Sequence, residues 1–138
     1  MKGIVIDASV ALAWCFPDEA SDYADSVLLA LEKHAAIVPA IWAVEVTNAL
    51  LVGERRKRLR RPEAWRFVEL LKRLNIVQDS QVVTDAMSNI LPLGHDYRLS
   101  AYDAAYLDVA VRRQIPIATL DSDLQKAALA AGIEIFNA

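Results

Sequence analysis

The sequence is poor in the residues on which several common chemistries depend. It contains one cysteine, two histidines and four glycines among 138 residues. A single cysteine, Cys15, excludes an intrachain disulfide. The histidines, His34 and His95, lie apart from the acidic motifs, which argues against a zinc site. The glycines form neither a P-loop nor a dinucleotide-binding pattern, and the G-x-S-x-G pattern of serine hydrolases is missing.

Long apolar runs are also missing. No run reaches the ~18 residues of a membrane helix before a charge interrupts it, and Asp7 breaks the first apolar run too early for a signal peptide. We therefore expect a cytoplasmic protein with one domain over residues 1–138 and no membrane contact. Cys15 lies in an apolar stretch and is interpreted as a core thiol. The hydrophobic content of 55% is high for a small monomer, which suggests contact with another chain.

The net charge of −3 conceals a basic segment. Residues 54–73 carry a local balance of +6, which leaves −9 for the rest of the chain. This segment permits a polyanionic partner, although a basic surface that contacts only solvent is an equally simple interpretation. Its cationic residues are Arg55, Arg56, Lys57, Arg58, Arg60, Arg61, Arg66, Lys72 and Arg73.

Short apolar runs alternate with segments of helical periodicity. The runs predict strands over residues 3–6, 36–38, 76–77, 115–119 and 133–136. The periodic segments predict helices over 8–14, 18–34, 41–58, from 62 onward, 80–91, 100–113 and 122–131. This alternation is typical of an α/β fold with three layers, in which helices flank a mostly parallel sheet of four to five strands.

Acidic residues follow two of the predicted strands directly. Asp7 ends the first strand, and Asp121 follows the fourth, with Asp123 two residues on. Ligands of such sheets gather at the carboxyl ends of the strands, so we expect Asp7 and Asp121 to form part of a site. Each could instead cap the helix that begins after it.

Two further acids lie on predicted helices. Glu45 has apolar neighbours and shares a helix face with Asn48, which favours a functional role over an exposed glutamate. Asp103 falls in the first turn of a helix that Ser100 could cap, where a carboxylate also stabilises the helix dipole. Asp108, farther along the same helix, is interpreted as a surface residue.

Four converging carboxylates would repel one another unless a cation neutralised them. Oxygen ligands suit Mg²⁺ or Mn²⁺, and such an ion can activate a water for attack on a phosphodiester. The acids therefore indicate the type of reaction, and the basic segment offers a partner for a phosphate backbone.

The sequence resembles the PIN-domain ribonucleases of the VapC type, which are the toxins of toxin–antitoxin pairs. The resemblance covers essentially the whole chain and rests on four motifs that occur in the family's order. These motifs are Val5-Ile6-Asp7-Ala8-Ser9, Glu45-Val46-Thr47-Asn48-Ala49-Leu50, Tyr102-Asp103-Ala104-Ala105-Tyr106-Leu107, and Ala118-Thr119-Leu120-Asp121 with Asp123-Leu124.

The resemblance implies a PIN-like fold and a Mg²⁺- or Mn²⁺-dependent endoribonuclease that leaves 5′-phosphate ends. It also implies a homodimer that a cognate antitoxin silences. The residues that match the acidic, metal-binding quartet are Asp7, Glu45, Asp103 and Asp121. The residues that match supporting positions are Ser9, Asn48, Thr119 and Asp123. The arginine run over residues 55–61 is denser than the resemblance requires. It could contact RNA, the antitoxin or only solvent. The candidates for RNA contact are Arg55, Arg56, Arg58, Arg60 and Arg61.

Two other functions are compatible with an α/β fold that carries acids at its strand ends. A phosphoacceptor or an aspartate-based phosphatase would need a second acid close to Asp7, whereas position 9 is serine. A catalytically silent module that binds RNA or protein would keep the same fold and the same quartet.

Overall fold

A parallel four-stranded sheet forms the centre of the molecule. The computed structural model describes residues 3–138. The strands are β1 (Gly3–Ile6), β2 (Ala35–Val38), β3 (Ile76–Gln78) and β4 (Ile117–Ala118), arranged in the order β3-β2-β1-β4. All strand pairs are parallel, and Val5 of β1 aligns with Ile37 on one side and Ile117 on the other. This sheet and the helices around it confirm the predicted α/β fold class.

Helices connect and flank the strands. They are α1 (Ala8–Cys15), α2 (Asp22–Ala30), α3 (Ile41–Arg55), α4 (Arg61–Lys72), α5 (Val83–Tyr97), α6 (Ala101–Arg113) and α7 (Ser122–Ala130), with a 3₁₀ turn over Pro17–Glu19. Cys15, at the end of α1, is half-buried against the core, and burial raises the pKa of its thiol, as expected for a structural cysteine. No helix of residues 3–138 is long and apolar enough to cross a bilayer.

Helix α6 runs through the interior. Residues 104–110 are all buried, and the helix packs against α5, α7 and strands β1, β2 and β4. The interpretation of Asp108 as a surface residue is therefore wrong, since this residue is only 2% exposed. Its carboxylate accepts hydrogen bonds from Arg112 Nε (3.0 Å) and Gln81 Nε2 (2.9 Å), which compensate its burial.

Several boundaries differ from the sequence prediction for local reasons. Helix α2 begins at Asp22 rather than at residue 18, because Pro17 opens the 3₁₀ turn and Ser21 then caps α2. Helix α5 continues through Pro92 to Tyr97, where packing of its last turn against the core outweighs the cost of an internal proline. The predicted last strand is reduced to one parallel bridge between Ile135 and Ile117.

Candidate active site

The carboxyl ends of β1 and β4 are neighbours because these two strands are paired and parallel. Asp7 follows β1 directly, and Thr119 follows β4. The Thr119 hydroxyl donates a hydrogen bond to Asp7 Oδ2 and accepts one from the backbone N–H of Asp121 at 3.0 Å. The structure thus joins Asp7 and Asp121, the two acids predicted at strand ends, through the buried side chain of Thr119.

Asp7 is a buried carboxylate surrounded by uncharged donors. It is 5% exposed, and its Oδ1 accepts hydrogen bonds from the Ser9 hydroxyl at 2.6 Å and from the backbone N–H of Val10 at 3.3 Å. Burial raises the pKa of Asp7 to about 6, against the lowering effect of the hydrogen bonds from Ser9, Thr119 and Val10. The negative charge of Asp103 raises it slightly further.

Asp7 and Asp121 also cap helices. Asp7 is the N-cap of α1, and Asp121 is the N-cap of α7, where its Oδ1 accepts from the N–H groups of Asp123 (2.8 Å) and Leu124 (3.2 Å). The capping interpretation is therefore correct for both residues. It does not compete with a site, because capping fixes each carboxylate at the sheet edge and, for Asp121, involves only one of its two oxygens.

Glu45 and Asp103 approach the same edge from two helices. Both are half-buried, Glu45 in the first part of α3 and Asp103 in the first turn of α6. Burial raises the pKa of Asp103, and the charges of Asp121, Glu45 and Asp123 raise it further, while a hydrogen bond from Ser100 lowers it. Asp103 is thus close enough to Asp7, Glu45 and Asp121 to interact with each of them electrostatically.

The acidic quartet lacks a neutralising charge in the part of the chain that the structure describes. Among residues 3–138, no ion pair with lysine or arginine involves Asp7, Glu45, Asp103 or Asp121. Within the same residues, no group of three Asp, Glu, His or Cys side chains is arranged so that it could hold a metal ion. The donor set nevertheless fits a hard divalent cation in its chemistry, since all donors are carboxylate oxygens and one of them belongs to a buried, unpaired acid.

The four supporting residues differ in their contacts. Ser9 and Thr119 both donate to Asp7, and Ser9 Oγ also accepts from the backbone N–H of Leu120 at 3.0 Å. Asp123 is exposed and contributes its backbone N–H to Asp121. Asn48 is exposed, and no hydrogen bond among the described residues joins it to Glu45.

Sequence reasoning missed Tyr106. Its side chain is 1% exposed, and its hydroxyl donates a hydrogen bond to Glu45 Oε1 at 2.6 Å. The available signal was its position three residues after Asp103, a spacing that places two side chains on one helix face.

The basic segment begins at the far end of α3. Arg55 follows Glu45 by ten residues, which corresponds to about 15 Å along the helix axis. Arg58 makes ion pairs with Asp18 at 2.9 Å and Glu19 at 2.8 Å, and its guanidinium lies 4.1 Å from the centre of the Phe16 ring. Arg58 therefore links the end of α3 to the turn after α1. The Arg60 side chain pairs with Glu63, whereas Arg55, Arg56 and Arg61, the other candidates for RNA contact, are exposed and make no ion pair among residues 3–138.

Comparisons with known proteins agree on one family. The family model for the PIN domain matches residues 4–129. Ribonuclease VapC3 of Pyrobaculum aerophilum is 34% identical over 126 residues, which cover 88% of this chain and 91% of that protein.

Two solved structures share the fold. The crystal structure of PAE2754 from Pyrobaculum aerophilum has a TM-score of 0.68 at 23% identity and covers 91% of this chain and 78% of that one. The crystal structure of FitAcB from Neisseria gonorrhoeae has a TM-score of 0.62 at 18% identity, with 97% and 96% coverage. The family match, which spans most of the chain, confirms the resemblance drawn from the four motifs: the chain belongs to the PIN-domain family.

Proposed function

We propose that residues 1–138 form a single nuclease domain that hydrolyses RNA phosphodiester bonds with a divalent metal ion, as the toxin of a type II toxin–antitoxin pair in the cytoplasm. The observation that carries the proposal is the buried carboxylate of Asp7, which makes no ion pair with a cation of residues 3–138 and interacts electrostatically with a second acid of the quartet, Asp103. Membership of the PIN-domain family and 34% identity to a protein named as a ribonuclease support the reaction.

The residues that would hold Mg²⁺ or Mn²⁺ are Asp7, Glu45, Asp103 and Asp121. When bound, the ion supplies an activated water and stabilises negative charge on the scissile phosphate. A cation would also offset the repulsion that raises the pKa of Asp103.

The remaining residues orient the acids and the substrate. Ser9 and Thr119 fix both oxygens of Asp7, and the N-terminus of α7 fixes one oxygen of Asp121. Arg55 and Arg56, which are exposed at the end of α3 about 15 Å along the helix axis from Glu45, are our candidates for contact with RNA phosphates.

A cleavage assay on antitoxin-free protein tests the reaction. We expect RNA to be cut in Mn²⁺ or Mg²⁺, with products that carry 5′-phosphate ends, and to be left intact in EDTA. Asp7→Asn and Asp103→Asn should abolish cutting, whereas Asp25→Asn, on an exposed position of α2, should not affect it. Cleavage by Asp7→Asn at the wild-type rate would exclude the proposed site. Binding of Mn²⁺ and RNA without cleavage would instead favour the silent binding module.

An apolar stripe on α5 supports the homodimer. Val83 is 77% exposed, Met87 65% and Leu91 62%, and their four-residue spacing places them on one face. We expect Met87→Glu to convert a dimer to a monomer in light scattering, while Leu129→Glu, at an equally exposed position on α7, should leave the mass unchanged.

Addition of the cognate antitoxin should inhibit cleavage stoichiometrically.

A further inference from the structure

Tyr106 is the largest of the fully buried side chains, and it carries a polar group into the interior. A buried hydroxyl is costly unless it is hydrogen-bonded, and this one donates to a carboxylate oxygen of Glu45 at 2.6 Å. The bond joins α6 to α3 across 61 positions of sequence. A hydrogen bond to an ionised acceptor is short and strong, so it fixes the acceptor as well as the donor.

Glu45 has few other restraints. Its side chain has three rotatable bonds. It lies on a helix whose buried residues are Trp42, Val46, Leu50 and Gly53, whereas Glu45 itself is only half-buried. Among the described residues, Tyr106 is the one hydrogen-bond donor to the Glu45 carboxylate, and it contacts Oε1 alone. Oε2 is thereby left without a donor from residues 3–138.

The phenol hydroxyl lies among the acids of the site. Burial, the bond to Glu45 and the charges of Glu45, Asp7 and Asp103 all raise the pKa of Tyr106 above its ordinary value. A phenol is already neutral near pH 7, so the hydroxyl donates this hydrogen bond to the carboxylate without any shift being needed.

From this geometry we propose that Tyr106 is a positioning residue that holds one oxygen of Glu45 and so presents the other oxygen to the divalent cation. The inference rests on the proposed metal-dependent function and extends it to a residue outside the acidic quartet. A ligand that is already oriented loses less conformational entropy when the ion binds, which favours tight binding.

Mn²⁺ affinity, measured by isothermal titration calorimetry without RNA, tests the inference. Tyr106→Phe keeps the buried ring and removes only the hydroxyl. We expect its Mn²⁺ dissociation constant to rise at least about tenfold, the usual effect of losing an outer partner of a metal ligand. The Mn²⁺ concentration for half-maximal cleavage should rise in parallel, and the rate at saturating Mn²⁺ should stay within about threefold of wild type.

Tyr23→Phe is the matched control. Tyr23 is partly buried, and its hydroxyl donates a hydrogen bond to the Phe136 carbonyl at 2.7 Å. Burial raises the pKa of Tyr23, and the negative charge of Asp7 raises it by a smaller amount. It touches none of the four acids through a hydrogen bond. We expect this variant to bind Mn²⁺ with wild-type affinity, so that general loss of a tyrosine hydroxyl is separated from loss of the hydrogen bond to Glu45.

A double-mutant cycle decides whether Tyr106 acts through Glu45. In a Glu45→Gln background, Tyr106→Phe should produce no further loss of Mn²⁺ affinity. Unchanged Mn²⁺ affinity in Tyr106→Phe, or an equal loss in both backgrounds, would overturn the inference while leaving the nuclease proposal intact. A wild-type protein that neither binds Mn²⁺ nor cleaves RNA would overturn both.

Discussion

Asp7 combines two properties that are unfavourable together in a folded protein: it is buried, and no cation in the described part of the chain pairs with it. The hydrogen bonds from Ser9 and Thr119 offset only part of the desolvation, since the pKa of Asp7 is still raised to about 6. A raised pKa means that the folded state binds a proton more tightly than the unfolded state does. The ionised form of Asp7 therefore destabilises the metal-free fold at neutral pH.

Asp7→Asn should stabilise the metal-free protein. In EDTA at about pH 8, we expect the free energy of unfolding to rise by about 1 to 3 kcal/mol. The upper value is the free energy that corresponds to the difference between the ordinary pKa of an aspartate and the raised pKa of Asp7. The gain should shrink as the pH falls below about 6, because wild-type Asp7 then becomes protonated. Urea unfolding measures both effects, and Asp25→Asn is the control. A variant less stable than wild type at pH 8 would contradict the assigned desolvation.

At the scale of elements, α6 connects the candidate site to a second charged cluster. Its first turn carries Asp103, and its other end carries Arg112 and Arg113. Arg112 binds Asp108 on its own helix and Asp79 just after β3, and Arg113 Nε donates to Asp79 at 2.7 Å. Burial works to raise the pKa of Asp79, but the hydrogen bonds from the two arginines hold it below its ordinary value.

Arg112→Ala should destabilise the fold strongly, because it leaves Asp108 without its arginine and Asp79 with only one. We expect a loss of about 3 kcal/mol in urea unfolding at neutral pH, the low end of the cost of breaking a buried ion pair. Arg113→Ala should cost less, since Asp79 is the one ion-pair partner of Arg113 among the described residues and the Arg113 side chain is 41% exposed. Equal losses for the two variants would mean that Asp108 does not depend on Arg112.

The basic end of α3 contains arginines with different surroundings. Arg58→Ala should lower the melting temperature, because it removes the interactions with Asp18, Glu19 and Phe16. It should leave the salt dependence of RNA affinity nearly unchanged. Arg55→Ala should leave the melting temperature nearly unchanged but should weaken the salt dependence of RNA affinity. The slope of log affinity against log salt should fall in magnitude by about 0.7 for each phosphate that Arg55 neutralises in the wild-type complex.

Fluorescence anisotropy in a cleavage-deficient Asp7→Asn background measures both arginine variants on one RNA. Thermal melting curves of the two variants, recorded without RNA, measure the change in melting temperature. If Arg58→Ala changed the salt slope as much as Arg55→Ala, its guanidinium would contact RNA in spite of its ion pairs.

At the scale of the whole molecule, the sequence predicts features that local patterns encode. Apolar strands that end in Asp7 and Asp121 define the sheet edge, because parallel strands must place their carboxyl ends together. The bond between Tyr106 and Glu45 is not encoded locally, since it depends on how α6 crosses α3. The burial of Asp108 and the passage of α5 through Pro92 likewise follow from packing around α6, which overrides local preference.

The acids divide into two groups with opposite effects on stability. For Asp7 and Asp103, burial raises the pKa, so the protonated form of each acid favours the folded state. This stabilisation is fully present below about pH 4 and is lost as the pH rises through the folded-state pKa, which is about 6 for Asp7. For Asp79, the arginines outweigh burial and lower the pKa, so its stabilisation is present above about pH 4 and is lost in acid. Metal-free protein should therefore be most stable near pH 4 and should lose stability as the pH rises from about 4 to 6.

A divalent cation should move this optimum toward neutral pH, because it binds the ionised acids that destabilise the metal-free fold. With Mn²⁺ at about 100 times its dissociation constant, we expect about 2.7 kcal/mol of added stability at pH 7.5. The effect should be much smaller at pH 5, where protons compete with the ion for Asp7. Thermal melts across this pH range, in EDTA and in Mn²⁺, measure the shift, and Asp7→Asn should weaken the response to both pH and metal. If stability in EDTA instead rose steadily from about pH 5 to 8, ionisation of the buried acids could not be what the cation relieves.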